Sequence, residues 1–264
     1  MTSFEVTAVF SQYQARLRVR AASLLLTLEA KLERIMIAWL LGAGLACALR
    51  LAFSPLAVPF DLSAILPYLL LVLAPFASMV LALRWFADGD RQAQPQIRLA
   101  RVGRWTNVSR HEAKSHHLYG SGGIMVSLMV GMLLNIPVRA LEYLGSMPAI
   151  SGNVPEWLSV LRTMMTLDVV LMSSLYGIAF VAALKRVPLF PRLLAAIWCL
   201  DLFMQLATAE LVVRTPDLPS SVAGALHGLL DGNVTKVLIS TGLWLPYLLL
   251  SRRVNVTFRH RVPA

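Results

Sequence analysis

Six stretches of this chain are apolar over about the length a helix needs to cross a bilayer, and that feature limits the fold more than any other. Roughly 20 mainly apolar residues, each rising about 1.5 Å, span a hydrocarbon layer about 30 Å thick. Inside that layer every backbone polar group must be bonded within the chain, which leaves helices as the spanning elements for runs of this kind. The runs extend from Ile35 to Phe53, Leu62 to Leu83, Gly123 to about Leu144, about Val160 to Leu184, and Pro188 to Val213. The sixth and weakest, Val237 to Leu250, must borrow a turn or two around Lys236 to reach across. Pro67 and Pro75 predict kinks in the second. The expected fold is all-α: a polytopic membrane helix bundle of about six transmembrane helices. Composition agrees, with 57% hydrophobic and 14% charged residues against about 45–50% and 25% in soluble domains.

Basic residues set the expected orientation, because Lys and Arg concentrate in cytoplasmic loops. Of the 24 in the chain, nineteen fall on one side of the alternating spans. Five precede the first span (Arg16, Arg18, Arg20, Lys31, Arg34), and seven follow the second (Arg84, Arg91, Arg98, Arg101, Arg104, Arg110, Lys114). Lys185, Arg186 and Arg192 join spans four and five, and Arg252, Arg253, Arg259 and Arg261 form the tail. The other side holds Arg50, Arg139, Arg162, Arg214 and Lys236. Both termini are therefore expected in the cytoplasm.

This distribution also accounts for the net charge of +10 without nucleic acid. The segment from Gly89 to His117 interleaves only Trp105 with its charges, whereas a nucleic-acid surface needs a folded basic domain or several stacking aromatics. The expected partners are the bilayer itself and anionic lipid headgroups at the cytoplasmic face, reached by residues 85–118 as a basic loop or short surface helix. Residues 1–34 carry Val6, Phe10, Tyr13, Leu17, Leu24, Leu28 and Ile35 at three-, four- and seven-residue spacing. That pattern predicts an amphipathic cytoplasmic helix, lying in the interface and running into the first span or docking a partner. The first residues lack a short apolar core with a small-residue cleavage site, so insertion is expected through the first of the two spans in residues 35–84. Cys47 and Cys199 lie in apolar runs and read as small hydrophobes.

The C-terminal run Trp244-Leu245-Pro246-Tyr247, Ser251-Arg252-Arg253-Val254 and Thr257-Phe258 resembles the ending of a bacterial inner-membrane family known as domain of unknown function 2569, the YdgK-like proteins. There a Trp-x-Pro-Tyr near the inner end of the last span is followed by Ser-x-Arg-Val and Thr-Phe. Tyr119-Gly120-Ser121-Gly122-Gly123 is similar to the glycine-rich start of that family's first span, and Arg139 and Glu142 match its charged end. The resemblance covers roughly residues 111–261 and implies a four-span domain within 119–264, set in a bacterial inner membrane. It implies no activity, and residues 1–110 with their two extra spans fall outside it. The repeated Leu-Pro-Tyr-Leu-Leu-Leu at Leu66–Leu71 and Leu245–Leu250 occupies opposite ends of its spans, and reads as leucine-rich coincidence rather than an inverted repeat.

One cluster of residues in the chain is suited to chemistry. His111, Glu112, His116 and His117 lack the two histidines four residues apart that a helical zinc motif needs, and position 115 is serine, so no metal or other cofactor is expected. The Gly120–Gly123 run is not a nucleophile elbow. An unpaired charge inside a span costs several kcal/mol and faces protein or water. Asp201 falls near the middle of the fifth span, and Gln205 and Thr208 share its helix face at four- and seven-residue steps. Asp168 and Lys236 fall in the outer halves of their spans and are expected as partners, so Asp168, Asp201, Gln205, Thr208 and Lys236 form the candidate intramembrane cluster. Two roles stay open for it: pairing that fixes the bundle, or a substrate or proton site. The expected protein is accordingly a membrane accessory or scaffold protein, with a small-solute or proton-coupled transporter as the alternative. No nucleophile, base and metal set points to an enzyme.

Overall fold

The computed structural model describes residues 3–54, 62–98, 103–149, 154–216 and 218–264, without side chains for 3–15, 17, 18 and 63. The side chains of Val6, Phe10, Tyr13 and Leu17 and the whole of Arg101 lie outside the described residues. Six long helices form a bundle: α1 (Ser3–Ala52), α2 (Leu62–Trp85), α4 (Ile124–Ser146), α5 (Glu156–Leu184), α6 (Phe190–Val213) and α7 (Ser220–Leu250). All six are long and apolar enough to cross a membrane. The chain is a multi-pass membrane protein of the all-α class.

Helix α5 is the central post, flanked by α2, α4 and α6, and its C-terminal end is buried on every face from Ala179 to Leu184. Small residues permit that closeness. A Cβ on Gly177 would stand 2.9 Å from Met79 Cγ, so α2 and α5 touch through a glycine. Pro67 and Pro75 lie within α2, Pro137 within α4 and Pro246 within α7, tolerated where neighbouring helices close around the missing backbone bonds. The indole of Trp39 donates to the Val72 carbonyl at 3.0 Å, tying α1 to α2.

Two helices exceed their expected lengths. The 50 residues of α1 form one unbroken helix, about 75 Å long at 1.5 Å per residue and more than twice the hydrocarbon thickness. The amphipathic segment thus continues into the span without a break. Leu25, Leu32, Met36 and Trp39 supply the packed face, whereas Leu24 is 52% exposed. Helix α7 begins at Ser220 rather than near Val237, because His227, Asp231, Asn233 and Lys236 sit on exposed or partly exposed faces and none of them breaks a helix.

One end of the bundle gathers the basic segments into a small folded cap. After a 3₁₀ turn (Gly89–Arg91) come β1 (Trp105–Asn107) and α3 (Arg110–Ser115), whose capping box joins Ser109 and Glu112 reciprocally. From the last span the chain turns at Ser251 into α8 (Arg252–Arg259) and β2 (Arg261–Pro263), and β2 pairs antiparallel with β1. The basic loop and the tail, expected as separate solvated segments, are one unit. Gly89 seats the cap against the α5–α6 turn, since a Cβ there would meet Val187 Cγ2 at 2.7 Å and the Lys185 carbonyl at 2.9 Å.

Candidate functional site

In the half of the bundle away from the cap, side chains from α4, α5, α6 and α7 form one continuous polar network. Its hub is Arg139 on α4. Nη1 donates to Asp168 Oδ2 on α5 at 2.7 Å, Nη2 donates to Asp201 Oδ2 on α6, and Nε donates to Asn135 one turn back at 3.0 Å. The Tyr176 hydroxyl adds a second bond to Asp201 Oδ2 at 3.2 Å, with its ring 5.9 Å from the guanidinium carbon. Gln205 Nε2 donates to Asp168 Oδ1 at 3.2 Å and its Oε1 accepts from Asn233 Nδ2 of α7 at 3.4 Å. Lys236 Nζ lies 3.3 Å from Asn233 Oδ1 and 2.5 Å from Glu142 Oε1, closing the chain back onto α4.

Burial divides the network in two. Asp201 is fully buried and the Arg139 and Asp168 side chains are 12% and 19% exposed, whereas Lys236 and Glu142 are 61% and 42% exposed. The inner part is a low-dielectric ion triad in which both carboxylates depend on the one guanidinium, and the outer part is a surface pair of small energetic weight. The triad carries one cation and two carboxylates. Asp201 Oδ1 is buried with no hydrogen-bond partner among the described residues.

The network lines a cavity of about 380 Å³ between α4, α5, α6 and α7. Arg139, Asp168 and Asp201 form its floor, while Glu142, Asn233 and Lys236 stand on its walls. Gly228 and Gly232 form the α7 wall, and a Cβ at either would meet nothing within 4 Å. Helix α7 packs chiefly on α6, so the cavity is the gap it leaves against α4 and α5.

The five residues expected as one cluster are thus partly reassigned. Asp168, Asp201 and Gln205 do meet. Lys236 does not pair with Asp201; it is farther along α7 and takes Glu142, and the base between the carboxylates is Arg139. Thr208 is buried on the expected face, but its hydroxyl turns back to the Met204 carbonyl at 2.8 Å. Asn135, Tyr176 and Asn233 were missed. The spacing Asn135–Arg139–Glu142, at four and three residues, was the readable signal on α4.

The C-terminal signature also has a specific place. Ser251 caps α8, accepting from Val254 N at 3.5 Å, and Val254, Thr257 and Phe258 are buried, with Phe258 5.0 Å from the Phe190 ring. Trp244 and Tyr247 meet edge to face at the end of α7, beside Pro246. Arg253 of the basic tail turns inward and donates to the Gly120 carbonyl at 3.3 Å, while Gly120 N donates to Thr257 Oγ1 at 3.0 Å. Gly120 and Gly123 have φ of 107° and 66°, which favours glycine in this turn. His116 and His117 stack on each other at 4.4 Å, and Glu112 is engaged by the capping box.

Fold and site together define a membrane-embedded helix bundle with a charged internal cavity. No protein-family model matches the chain, and no curated protein or solved structure matches it either.

Proposed function

We propose that this chain is an inner-membrane protein of a bacterium, with both termini in the cytoplasm, that binds and carries a small solute bearing a cationic or hydrogen-bond-donating group, or a proton. The observation that carries this reading is the cavity of about 380 Å³ that reaches Asp168 and Asp201. A purely structural triad is best served by a filled interior, whereas this one borders an open cavity with both apolar and polar walls. Arg139 offsets only one of the two carboxylates. The remaining negative charge and the buried, unpartnered Oδ1 of Asp201 suit an ammonium group or a proton.

Support for the setting comes from nineteen basic residues on one side of the spans and from the pairing of the basic loop with the basic tail in the cap. The proposed kinship to family 2569 rests on the sequence signature alone, whose two parts meet where Arg253 and Thr257 both reach Gly120. Anionic headgroups at the cytoplasmic face are the partners this orientation implies.

The test is uptake into proteoliposomes of ethanolamine, choline and glycine, with and without an imposed pH gradient, by the wild type and Asp201→Asn. Uptake of at least one probe, or proton flux, lost in the variant while its melting point stays within a few degrees, is expected. Equal fluxes in both proteins and in empty vesicles would refute carriage.

One observation favours an accessory role as well. The part of α1 beyond the bundle exposes Val19 at 70% and Leu26 at 66%, a surface suited to another helix. Cross-linking from Val19→Cys to an endogenous membrane protein, absent when residues 1–18 are removed, would support it; no specific cross-link would count against it.

A further inference from the structure

The cap holds a second charged site, unrelated to the cavity, in which cations rather than carboxylates are left over. Arg259 closes α8 and is only 4% exposed. Its Nη1 donates to the neutral Asn255 Oδ1 at 3.2 Å, and its Nη2 is buried with no partner among the described residues. Arg98 Nη1 donates to the Arg259 carbonyl at 2.9 Å and to Asn107 Oδ1 at 2.7 Å. Arg261 Nε donates to that same Asn107 oxygen at 3.1 Å. The two-stranded ladder fixes this arrangement by setting Asn107 opposite Arg261, and the left-handed His260, at φ 46°, turns the chain from α8 into β2.

A guanidinium keeps its charge at any physiological pH, so burying one calls for a counter-charge. Proteins ordinarily supply an aspartate or glutamate. Here no carboxylate lies within ion-pair reach of Arg259 or Arg98 among the described residues, and Asp90, in the same cap, is engaged by Arg110 and Lys114. The acceptors that hold Arg98 and Arg259 among the described residues are two asparagine amides and a backbone carbonyl.

We propose that Arg98, Arg259 and Arg261 form a binding site for a phosphate oxyanion, either free phosphate or the headgroup phosphate of an anionic lipid. Arginine suits this ligand because its planar fork of donors matches the spacing of phosphate oxygens. Burial, then Arg261 and Arg192, push Arg259 down to about 10, as expected of a site that repels its own charge until an anion enters. Burial and then Arg261 push Arg98 down as well. Arg98 and Arg261 are only half-buried, so the site keeps contact with its surroundings at those two side chains.

The site can be tested on the full-length protein by thermal unfolding. One arm compares inorganic phosphate with chloride at equal ionic strength in detergent. The other compares phosphatidylcholine nanodiscs with and without phosphatidylglycerol. Wild type is compared with Arg98→Gln, which is half-exposed and leaves the core intact, and with Arg259→Gln. Stabilisation of wild type by inorganic phosphate, with affinity at least about tenfold weaker in Arg98→Gln, identifies free phosphate as the ligand. Stabilisation by phosphatidylglycerol alone, lost in the same variants, identifies the headgroup. Arg259→Gln should unfold at or above the wild-type temperature without either anion, because it removes an uncompensated buried charge. No response to either anion, or equal responses in wild type and variants, would overturn the proposal, as would an Arg259→Gln protein that is strongly destabilised without anion.

Discussion

Arg139 on α4 donates to Asp201 on α6 across the interior of the bundle, and Asp201 is fully buried. With Asp168 on the same guanidinium, three helices are joined through one side chain. Removing the hub leaves two carboxylates facing each other with no cation between them. Arg139→Gln should therefore destabilise the protein by about 3–5 kcal/mol, read as a lower melting point in detergent. Adding Asp201→Asn should recover part of the loss, with a coupling of about 0.5–3 kcal/mol. By contrast Lys236→Met, which breaks only the exposed pair with Glu142, should cost about 0–1 kcal/mol. Equal losses for Arg139→Gln and Lys236→Met would show that the network lacks this hierarchy.

Gly89→Ala should unseat the cap. The added methyl would lie 2.9 Å from a backbone oxygen of the α5–α6 turn, which has little room to yield. Overpacking of this kind costs about 1–3 kcal/mol. Gly42→Ala in α1, where a Cβ meets nothing within 4 Å, should be neutral or stabilising by up to about 1 kcal/mol. Limited proteolysis of the segment between α2 and α4 distinguishes the two, with faster cleavage expected only in Gly89→Ala.

The cap should also weaken as pH falls. At Asp90 burial raises the carboxyl, but hydrogen bonds from Lys114 and Arg110 outweigh it and hold it below its ordinary value of 3.8. Its contribution is complete above that value and is lost as pH drops through the lower, folded value. Burial, then Arg98 and Arg110, lower His260 below 6.5, with only Asp90 acting the other way, so its contribution is full above 6.5 and lost as pH falls further. Both act in the same direction. Melting points measured from pH 8 to pH 5 should decline less in His260→Gln than in wild type; identical declines would remove His260 from the account.

Much of this fold was legible because a bilayer accepts so few structures. The second to fifth apolar runs became helices within a few residues of their expected limits, the first ended where expected although its helix begins far earlier, and the Asp201–Gln205 face pointed inward because helical spacing alone places it there. The pairing of charges was not legible, since it depends on the rotation of α4 and α7 about their axes, which periodicity does not fix. Arg139 matched the charged end of a span in the family pattern and turned out to be the hub. The cap was hidden for another reason. Its strands are three residues each, and the pairing of Asn107 with Arg261 joins segments far apart in the chain, with no local hydrophobic pattern to announce it.

Water access to the cavity from the outer side decides the central claim. Gly232 lines the cavity on α7, and a Cβ there meets nothing within 4 Å, so Gly232→Cys should fold normally. In a background lacking the exposed Cys199, a membrane-impermeant maleimide applied to the outer face should label this thiol at a rate near that of Ser220→Cys at the exposed start of α7. Ala182→Cys, in the fully buried core of α5, should stay unlabelled. A Gly232→Cys protein that labels no faster than Ala182→Cys, or labels only from the cytoplasmic side, would contradict a solute site opening outward at Asp201.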